Sequence, residues 1–404
     1  MIYETEGGVC AAAGFQAGSV RCGIKASSEK DDTAVIWSET PCAAAAVYTR
    51  NRVKAAPIQV TREHLEDGKA QAVIINSGNA NACAPDGREN AVREGRACAN
   101  LLGIREEDVI VCSTGVIGQR LNIEAIEEHL PGLSLSPKGS DLAAAAIMTT
   151  DTVPKTAAVE FTAGGKTCRL GGICKGSGMI HPNMGTMLCV LTTDCAVSTF
   201  VLQETLREKT AVSFNRVSVD GDTSTNDTCC IFANGMAGNQ EICSRAGEDY
   251  ETFAAALETV CVTLARKIAA DGEGAGRLMT CTVSGAADEA KAECLAKAVC
   301  SSSLVKAAMF GADANWGRIL CAMGYSGAEF DPEQVDVSFS SPAGEIAVCA
   351  DGRAVDFDEE KAREILSQPE VTILISLREG EASVTAWGCD LTYEYVRING
   401  DYRT

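Results

Sequence analysis

Short apolar runs bounded by Gly, Asn and Asp recur along the chain, which is typical of buried β-strands. The clearest runs are residues 72–75, 109–111, 187–191, 335–339, 371–377 and 383–387. None is long enough for an ordinary helix. The pattern therefore predicts at least six strands.

Helical spacing occurs between these runs. Over residues 250–270, apolar side chains recur at three- and four-residue steps and so share one helix face. These side chains are Phe253, Leu257, Val260, Leu264 and Ile268. Gly272 is predicted to stop this helix, and further helices are predicted at 288–298 and 304–310. Strands interleaved with helices indicate an α/β protein.

Length and composition favour a folded enzyme. Single cores usually stop growing near ~250–300 residues, so a chain of 404 residues is expected to contain at least two layered subdomains. Apolar residues make up 46% and charged residues 22%, which excludes a disordered chain. The net charge of -20 repels phosphate backbones and anionic lipids. Nucleic acid and membranes are therefore not expected partners.

The start of the chain lacks the pattern of a secretory signal, and no apolar run approaches the ~18 residues of a membrane span, so a cytoplasmic location is expected. The 20 cysteines form no CxxC pair. Because His64, His129 and His181 are the only histidines, no metal site is expected. Cysteines such as Cys42 and Cys189 are interpreted as small packing residues in a reducing compartment.

Three glycine-containing motifs fail as known functional signatures. Residues 164–167 (GGKT) resemble the end of a phosphate-binding loop, but Glu160 stands where the first glycine is required, so a turn between strands is predicted. Residues 272–276 (GEGAG) follow a helix and lead into a strand, the reverse of a dinucleotide site. Ser177 is not in a G-x-S-x-G elbow, although a histidine-based triad stays open as an alternative.

Residues 171–191 carry the candidate chemistry, because a glycine-rich stretch ends there at a predicted strand with Thr186 at its start. The sheet would hold Thr186 while the preceding chain bends, so that its Oγ can attack the Gly185 carbonyl. Formation of this ester would free the Thr186 amine, whose pKa of ~7.7–8.0 suits a general base, and hydrolysis of the ester would then cut the chain and free the hydroxyl. An ordinary glycine-rich turn explains the local pattern equally well.

The stretch KGSGMIHPNMGTML (175–188) resembles the self-cleavage signature of the ornithine acetyltransferase family, the bifunctional glutamate N-acetyltransferases of arginine biosynthesis. Further matching stretches, in order along nearly the whole chain, are NSGNANA (76–82), STGVIG (113–118), MTTDT (148–152), SVDGDTSTND (218–227), NWGRIL (315–320) and RINGDYRT (397–404). The resemblance implies an α/β fold, a layered sandwich of mixed β-sheets and helices of the self-cleaving N-terminal-nucleophile type.

The same resemblance implies that the chain cleaves itself between Gly185 and Thr186. The products would be an N-terminal (alpha) chain, 1–185, and a C-terminal (beta) chain, 186–404, which stay together as one fold. Relatives assemble as heterotetramers of two alpha and two beta chains. The family usually has alanine in place of Gly185 and threonine in place of Gly276. Because glycine is also small, cleavage is expected to survive.

Site residues are implied by their positions in the matching motifs. Thr186 is the implied nucleophile, and Thr114 and Gly115 are the implied donors to the oxyanion. The implied substrate contacts are Thr149 or Thr150, Lys175, Thr186, Glu273, Asn399 and Thr404. Thr150 is favoured over Thr149. Lys175 and Glu273 supply the opposite charges that N-acetylornithine requires, since it carries a carboxylate and an ammonium.

The implied reaction moves the acetyl group of N-acetylornithine to glutamate through acetyl-Thr186, a ping-pong cycle that needs no metal and no bound cofactor. Some relatives also use acetyl-CoA as a donor, and no motif decides whether this chain does. Two other hypotheses remain open. One is an amidohydrolase or aminopeptidase of the same self-cleaving fold, and the other is a small-molecule binding protein without turnover.

Overall fold

The computed structural model of the protein describes residues 1–25, 28–181 and 187–401. Within these ranges there are sixteen strands and eleven α-helices. The strands are Tyr3–Glu4 (β1), Phe15–Val20 (β2), Thr33–Tyr48 (β3), Lys69–Asn79 (β4), Val109–Val116 (β5), Lys155–Ala163 (β6), Lys166–Lys175 (β7), Leu188–Thr193 (β8), Val217–Ser218 (β9), Thr228–Ala233 (β10), Leu278–Ala286 (β11), Asp336–Ser341 (β12), Gly344–Ala350 (β13), Arg353–Ala354 (β14), Glu370–Ser376 (β15) and Ala382–Cys389 (β16). The helices are Ala56–His64 (α1), Gly87–Leu102 (α2), Ile123–His129 (α3), Ser140–Ala146 (α4), Thr199–Ala211 (α5), Glu248–Ala270 (α6), Glu289–Ser301 (α7), Ser303–Phe310 (α8), Trp316–Gly324 (α9), Glu359–Leu366 (α10) and Tyr393–Asp401 (α11).

Nine of these strands form one mixed sheet in the order β1-β6-β7-β8-β10-β3-β4-β5, with β2 paired to β3. The β8–β10 and β4–β5 pairs are parallel, whereas β7–β8 and β10–β3 are antiparallel. Along β10, Cys229 and Ile231 enter the core on one face of the sheet, and Cys230 and Phe232 enter the core on the other. The centre of the sheet is therefore buried on both faces, which explains why its strands are apolar throughout.

The other seven strands form a second mixed sheet in the order β14-β13-β12-β15-β11-β16-β9. Helices α7 and α10 pack on this sheet, and helix α6 packs on strands of both sheets. The five apolar residues predicted to share one face of α6 are all buried. The predicted α/β sandwich of mixed sheets and helices is confirmed, with α6 as the layer that joins the two sheets.

The predicted strands and helices are all present, with ends that differ by a few residues. The hairpin between β6 and β7 turns at Gly164 and Gly165, whose φ values of +55° and +68° suit glycine, so the predicted turn is confirmed. The strand predicted from residue 187 begins one residue later, at Leu188.

Helix α6 ends at Ala270, close to the predicted stop, but for a different reason than predicted. Gly272 does not adopt the left-handed backbone of a glycine helix cap. A β-carbon at Gly272 would lie 2.6 Å from the sulfur of Cys389 on β16. This glycine is therefore required for close packing rather than for the helix end.

Most of the cysteines are buried, as their interpretation as packing residues predicts. Cys189 and Cys229, for example, lie side by side in the parallel β8–β10 pair and belong to the same core cluster. In the part of the chain that the structure describes, no helix is both long and apolar enough to span a membrane.

Glu94 is an unpaired acid inside the apolar layer between α2 and the sheet. Its side chain has no exposed surface, and neither carboxyl oxygen has a hydrogen-bond partner among the described residues. Burial raises the pKa of Glu94 well above its usual value. Burial in this layer therefore favours the neutral form of the carboxyl.

We predict that Glu94→Gln removes a loss of stability with rising pH. Because the folded-state pKa lies above the unfolded value of ~4.3, the wild type loses stability as pH rises above that value, with a slope of up to ~1.4 kcal/mol per pH unit until the folded-state pKa is reached. Thermal midpoints at pH 5 and pH 8 measure this. The advantage of the variant should grow with pH, whereas exposed Glu66→Gln should show no such trend. A constant difference at both pH values would contradict the assignment.

Candidate active site

A cavity of about 150 Å³ opens where the ends of β5 and β7 meet helix α11 and residues 220–226. The predicted site residues that line it are Thr114, Gly115, Thr149, Thr150, Lys175, Glu273 and Asn399. These residues come from five separate segments of the chain. The remaining predicted residues, Gly185, Thr186 and Thr404, lie outside the described residues.

A larger cavity of about 790 Å³ lies elsewhere, bordered by Gly7, Ser140 and Lys267. None of the predicted residues lines it. Size alone would favour this cavity, but the convergence of polar groups favours the smaller one. We therefore assign the candidate active site to the 150 Å³ cavity.

The strand predicted from the apolar run 109–111 continues to Val116, so Thr114 and Gly115 lie within β5. The strand runs on because it pairs in parallel with β4, although the register becomes irregular at Gly78 and Asn79. Gly115 has a φ of +130°, and a β-carbon there would lie 2.3 Å from the carbonyl carbon of Gly78. Only glycine allows the two strand ends to approach this closely.

Asn226 holds the same strand ends together. Its amide nitrogen donates to the carbonyl of Ser113 at 2.8 Å and to that of Ala80 at 2.6 Å. Asn226 is only 7% exposed, so these bonds are shielded from water. Thr114 and Gly115, the predicted donors to the oxyanion, are thus held in place both by strand β4 and by Asn226.

Lys175 ends β7 and lies beside the oxyanion residues. Its ammonium is 3.5 Å from the hydroxyl of Thr114 and 4.0 Å from a carboxylate oxygen of Asp151. Lys155 in turn donates to Asp151 at 2.7 Å and to Asp271 at 2.6 Å. Two lysines and two aspartates therefore form a buried, charge-balanced network.

The pKa shifts in this network follow from its geometry. Burial alone would raise the pKa of Asp151, but the charges of Lys175 and Lys155 and the N–H of Gly176 lower it to about 2. The pKa of Lys155 is raised, because the attraction of Asp151 outweighs the effect of burial. Both side chains are therefore ionised at neutral pH.

Glu273 supplies the opposite charge on the cavity wall. It is 7% exposed, and its carboxylate accepts a hydrogen bond from Asn399 on α11 at 2.6 Å. A β-carbon at Gly178 would lie 2.3 Å from this carboxylate. The glycine after Ser177 thus leaves space for the acid.

Asp220 anchors the chain before residues 182–186. Its carboxylate accepts hydrogen bonds from the N–H groups of Met179 at 2.6 Å and Ile180 at 2.8 Å, and from the hydroxyl of Tyr395 at 3.3 Å. Met179 has a φ of +56°, which is uncommon for a residue with a side chain. These bonds compensate for that conformation.

Sequence reasoning assigned no role to Asp151, Lys155, Asp271 or Asp220. Asp151 and Asp220 lie in stretches that carried the resemblance, and this was the available signal. No sequence signal pointed to Lys155 or Asp271, because their pairing joins residues 116 positions apart. Thr149 and Thr150 both line the cavity, so the preference for Thr150 stays a prediction.

The histidine-based triad gains no support in the described part of the chain. None of the three histidines lines the 150 Å³ cavity. His64 bonds to the carbonyl of Val109, His129 bonds to that of Ala125, and His181 bonds to the hydroxyl of Ser218. These rings have structural partners away from the predicted oxyanion residues.

Comparison with known proteins gives close matches over the whole chain. The ArgJ family model matches residues 16–404. The "Arginine biosynthesis bifunctional protein ArgJ" of Symbiobacterium thermophilum is 51% identical over 98% of this chain and 99% of its own length. The protein of the same name from Bacillus subtilis is 46% identical over 100% and 98%. A crystal structure of "Arginine biosynthesis bifunctional protein argJ" from Bacillus halodurans is 43% identical, with a TM-score of 0.50, and the match covers 52% of this chain and 97% of the relative's chain.

The sandwich fold and these matches define an acetyltransferase of arginine biosynthesis, as the resemblance implied. The chain belongs to the ArgJ family.

We predict that Gly115→Ala lowers both stability and activity. The left-handed backbone costs ~1–3 kcal/mol for a residue with a side chain, and overpacking against Gly78 adds ~1–3 kcal/mol. Thermal unfolding and acetyl-transfer assays measure the loss. Gly132→Ala is the matched control, because a β-carbon there meets nothing within 4 Å. An unchanged midpoint for Gly115→Ala would show that the strand ends are not in close contact.

Proposed function

We propose that this protein moves the acetyl group of N-acetylornithine to glutamate through an acetyl ester on Thr186. The observation that carries the proposal is the convergence of seven predicted residues on one small cavity with a lysine and a glutamate in its wall. The specific stretch around Thr186 and the family membership support the same reaction.

Self-cleavage between Gly185 and Thr186 is the first step of the proposal. The solved relative from Bacillus halodurans has a chain only a little over half as long as this one, and the range 186–404 is also a little over half of the chain. The chain of that relative is therefore about as long as the proposed C-terminal piece. Cleavage would leave Thr186 with a free amine beside its own hydroxyl.

The two pieces would stay together because the nine-stranded sheet combines both. Strands β8 and β10 belong to the range 186–404, and they lie between β7 and β3 of the range 1–185. Each is hydrogen-bonded along its length to a strand of the other piece. Cutting the connection before β8 removes none of these bonds.

In the transfer step, the Thr186 hydroxyl attacks the acetyl carbonyl and its amine takes the proton. Thr114 and Gly115 are the proposed donors to the oxyanion, and the ammonium of Lys175 lies 3.5 Å from the Thr114 hydroxyl. The proton then passes to the ornithine amine as it leaves. Glutamate next takes the acetyl group through its own amine, which restores the enzyme.

Substrate charge is the proposed reason for the pair of opposite charges in the cavity. Lys175 would bind the carboxylate and Glu273 the side-chain ammonium of ornithine, with Asn399, Thr404 and one of Thr149 and Thr150 as further contacts. The cavity is small, which helps to exclude water from the acetyl ester. This favours transfer over the hydrolysis expected of an amidohydrolase.

The remaining expectations follow from family membership and complete the proposal. Relatives carry the name "bifunctional", which supports acetyl-CoA as a second acetyl donor used as a substrate rather than as a bound cofactor. Assembly as two alpha and two beta chains and a cytoplasmic location are also proposed.

Labelled N-acetylornithine tests the central claim. In the absence of glutamate the label should appear on Thr186, at the start of a fragment that intact mass and N-terminal sequencing identify. Thr186→Ala should remain one uncut chain without label, because both steps need the hydroxyl. Label on another residue, or a cut Thr186→Ala chain, would disprove the proposal. Acetate release without acetylglutamate would favour the hydrolase.

Glu273→Gln tests substrate recognition separately from cleavage. Loss of the charge should raise the KM for N-acetylornithine at least tenfold, since charged hydrogen bonds contribute ~1.5–3 kcal/mol. The fraction of cut chain should stay unchanged, because the intramolecular step needs no substrate. Glu251→Gln, exposed on α6, is the control. Equal loss of cleavage and turnover would instead assign Glu273 to self-cleavage.

A further inference from the structure

One cavity must accept two side chains of opposite charge in the transfer described above. The side chain of N-acetylornithine ends in an ammonium, whereas the equally long side chain of glutamate ends in a carboxylate. Glu273 attracts the first and repels the second. Among the described residues that line the cavity, Lys175 is the only cation, and the acids are Asp220, Asp222 and Glu273. Because Lys175 binds the α-carboxylate that both substrates share, glutamate needs a neutral donor for its side-chain carboxylate.

Helix α11 brings two neutral polar side chains to the cavity wall beside Glu273, namely Tyr395 and Asn399. The amide nitrogen of Asn399 donates to the carboxylate of Glu273 at 2.6 Å and to the carbonyl of Tyr395 at 3.0 Å. An amide nitrogen has only two hydrogens, so both are already used. The hydroxyl of Tyr395 is therefore the donor on this helix that a substrate can recruit.

The present partner of the Tyr395 hydroxyl does not depend on it. The hydroxyl donates to Asp220 at 3.3 Å, which is longer than the ~2.5–3.0 Å of a good O–H···O bond. Asp220 also accepts the N–H groups of Met179 at 2.6 Å, Ile180 at 2.8 Å and Asp222 at 3.2 Å. These three bonds keep the carboxylate of Asp220 satisfied when the hydroxyl turns away.

Building on the proposed function, we propose that Tyr395 is the specificity-determining residue for the acceptor. Its hydroxyl turns from Asp220 and donates to the side-chain carboxylate of glutamate. A hydroxyl both donates and accepts, so the same group can accept a hydrogen bond from the ammonium of ornithine while its proton stays on Asp220. Glu273 thus selects the donor substrate by charge, and Tyr395 admits the acceptor without adding a charge.

The surroundings of Tyr395 keep its hydroxyl protonated. The side chain is half-buried. Burial raises the pKa of Tyr395, and the negative charges of Asp220 and Glu273 raise it further. The phenol therefore remains a hydrogen-bond donor at neutral pH.

Tyr395→Phe tests the inference, because it removes the hydroxyl and keeps the ring. In a ping-pong cycle, kcat/KM for each substrate reports only the half-reaction of that substrate. The value for glutamate should fall about tenfold or more, as expected when a hydrogen bond to a charged group is lost. The value for N-acetylornithine should change by less than about twofold, because the charge of Glu273 is retained.

Norvaline provides a second measurement, since it has the shape of glutamate up to the carbon that carries the side-chain carboxylate. The preference of the enzyme for glutamate over norvaline should shrink about tenfold in Tyr395→Phe, with the norvaline rate unchanged. General damage to the site would instead lower both acceptors together.

Tyr393→Phe is the matched control on the same helix. Tyr393 is 82% exposed, its ring packs edge-on against Phe310 with centroids 5.6 Å apart, and it does not line the cavity. This variant should leave kcat/KM for both substrates unchanged.

An unchanged kcat/KM for glutamate in Tyr395→Phe would overturn the inference. Equal losses for glutamate and N-acetylornithine, for glutamate and norvaline, or in Tyr393→Phe would also overturn it. These outcomes leave the proposed function intact, because that function fails only if the wild-type protein transfers no acetyl group from N-acetylornithine to glutamate.

Discussion

Lys155 has no exposed surface, and the site depends on its pairing with the carboxylates of Asp151 and Asp271. Removing charged groups from water costs several kcal/mol per ion, and the cost is offset only when geometry and hydrogen bonding are good. Here Asp151 also accepts the N–H of Gly176, and Asp271 accepts that of Thr152. The network thus ties the end of α6 to the start of β6. It also sets the position of the segment that carries Lys175.

Glycines in the site act by allowing close approach as well as by allowing unusual backbone angles. Gly115 lets β5 approach Gly78, and Gly178 makes room for the carboxylate of Glu273. The sequence suggested that the glycine-rich stretch before Thr186 serves to bend. In the described part of that stretch, the residue with a positive φ is Met179 rather than a glycine. The hydrogen bond from its N–H to Asp220 compensates for this conformation.

The fold was predictable to the extent that burial leaves a periodic pattern. Strands 371–377 and 383–387 and the long helix α6 were evident, because each has an apolar face or core of the expected length. The pairing of Lys155 with Asp271 was not predictable. It joins the start of β6 to the residue after α6, 116 positions away, and so leaves no local signal.

The site residues were predicted by resemblance rather than by chemistry, since isolated lysines and glutamates are normally solvated. For the seven of them that the structure describes, it adds what resemblance lacks, namely a common cavity and supporting contacts. The extension of β5 through Thr114 and Gly115 was missed because glycine is a poor strand former. Pairing with β4, in which Gly78 lies opposite Gly115, overcomes the low strand preference of glycine.

The interleaving of β8 and β10 between β7 and β3 has a consequence for how the protein is made. Neither half of the chain, 1–185 or 186–404, can complete the nine-stranded sheet by itself, because each would expose unpaired strand edges to solvent. Synthesis as one polypeptide supplies both halves in equal number and at high local concentration. A single gene product therefore guarantees the stoichiometry that two separately encoded halves would have to achieve by regulation.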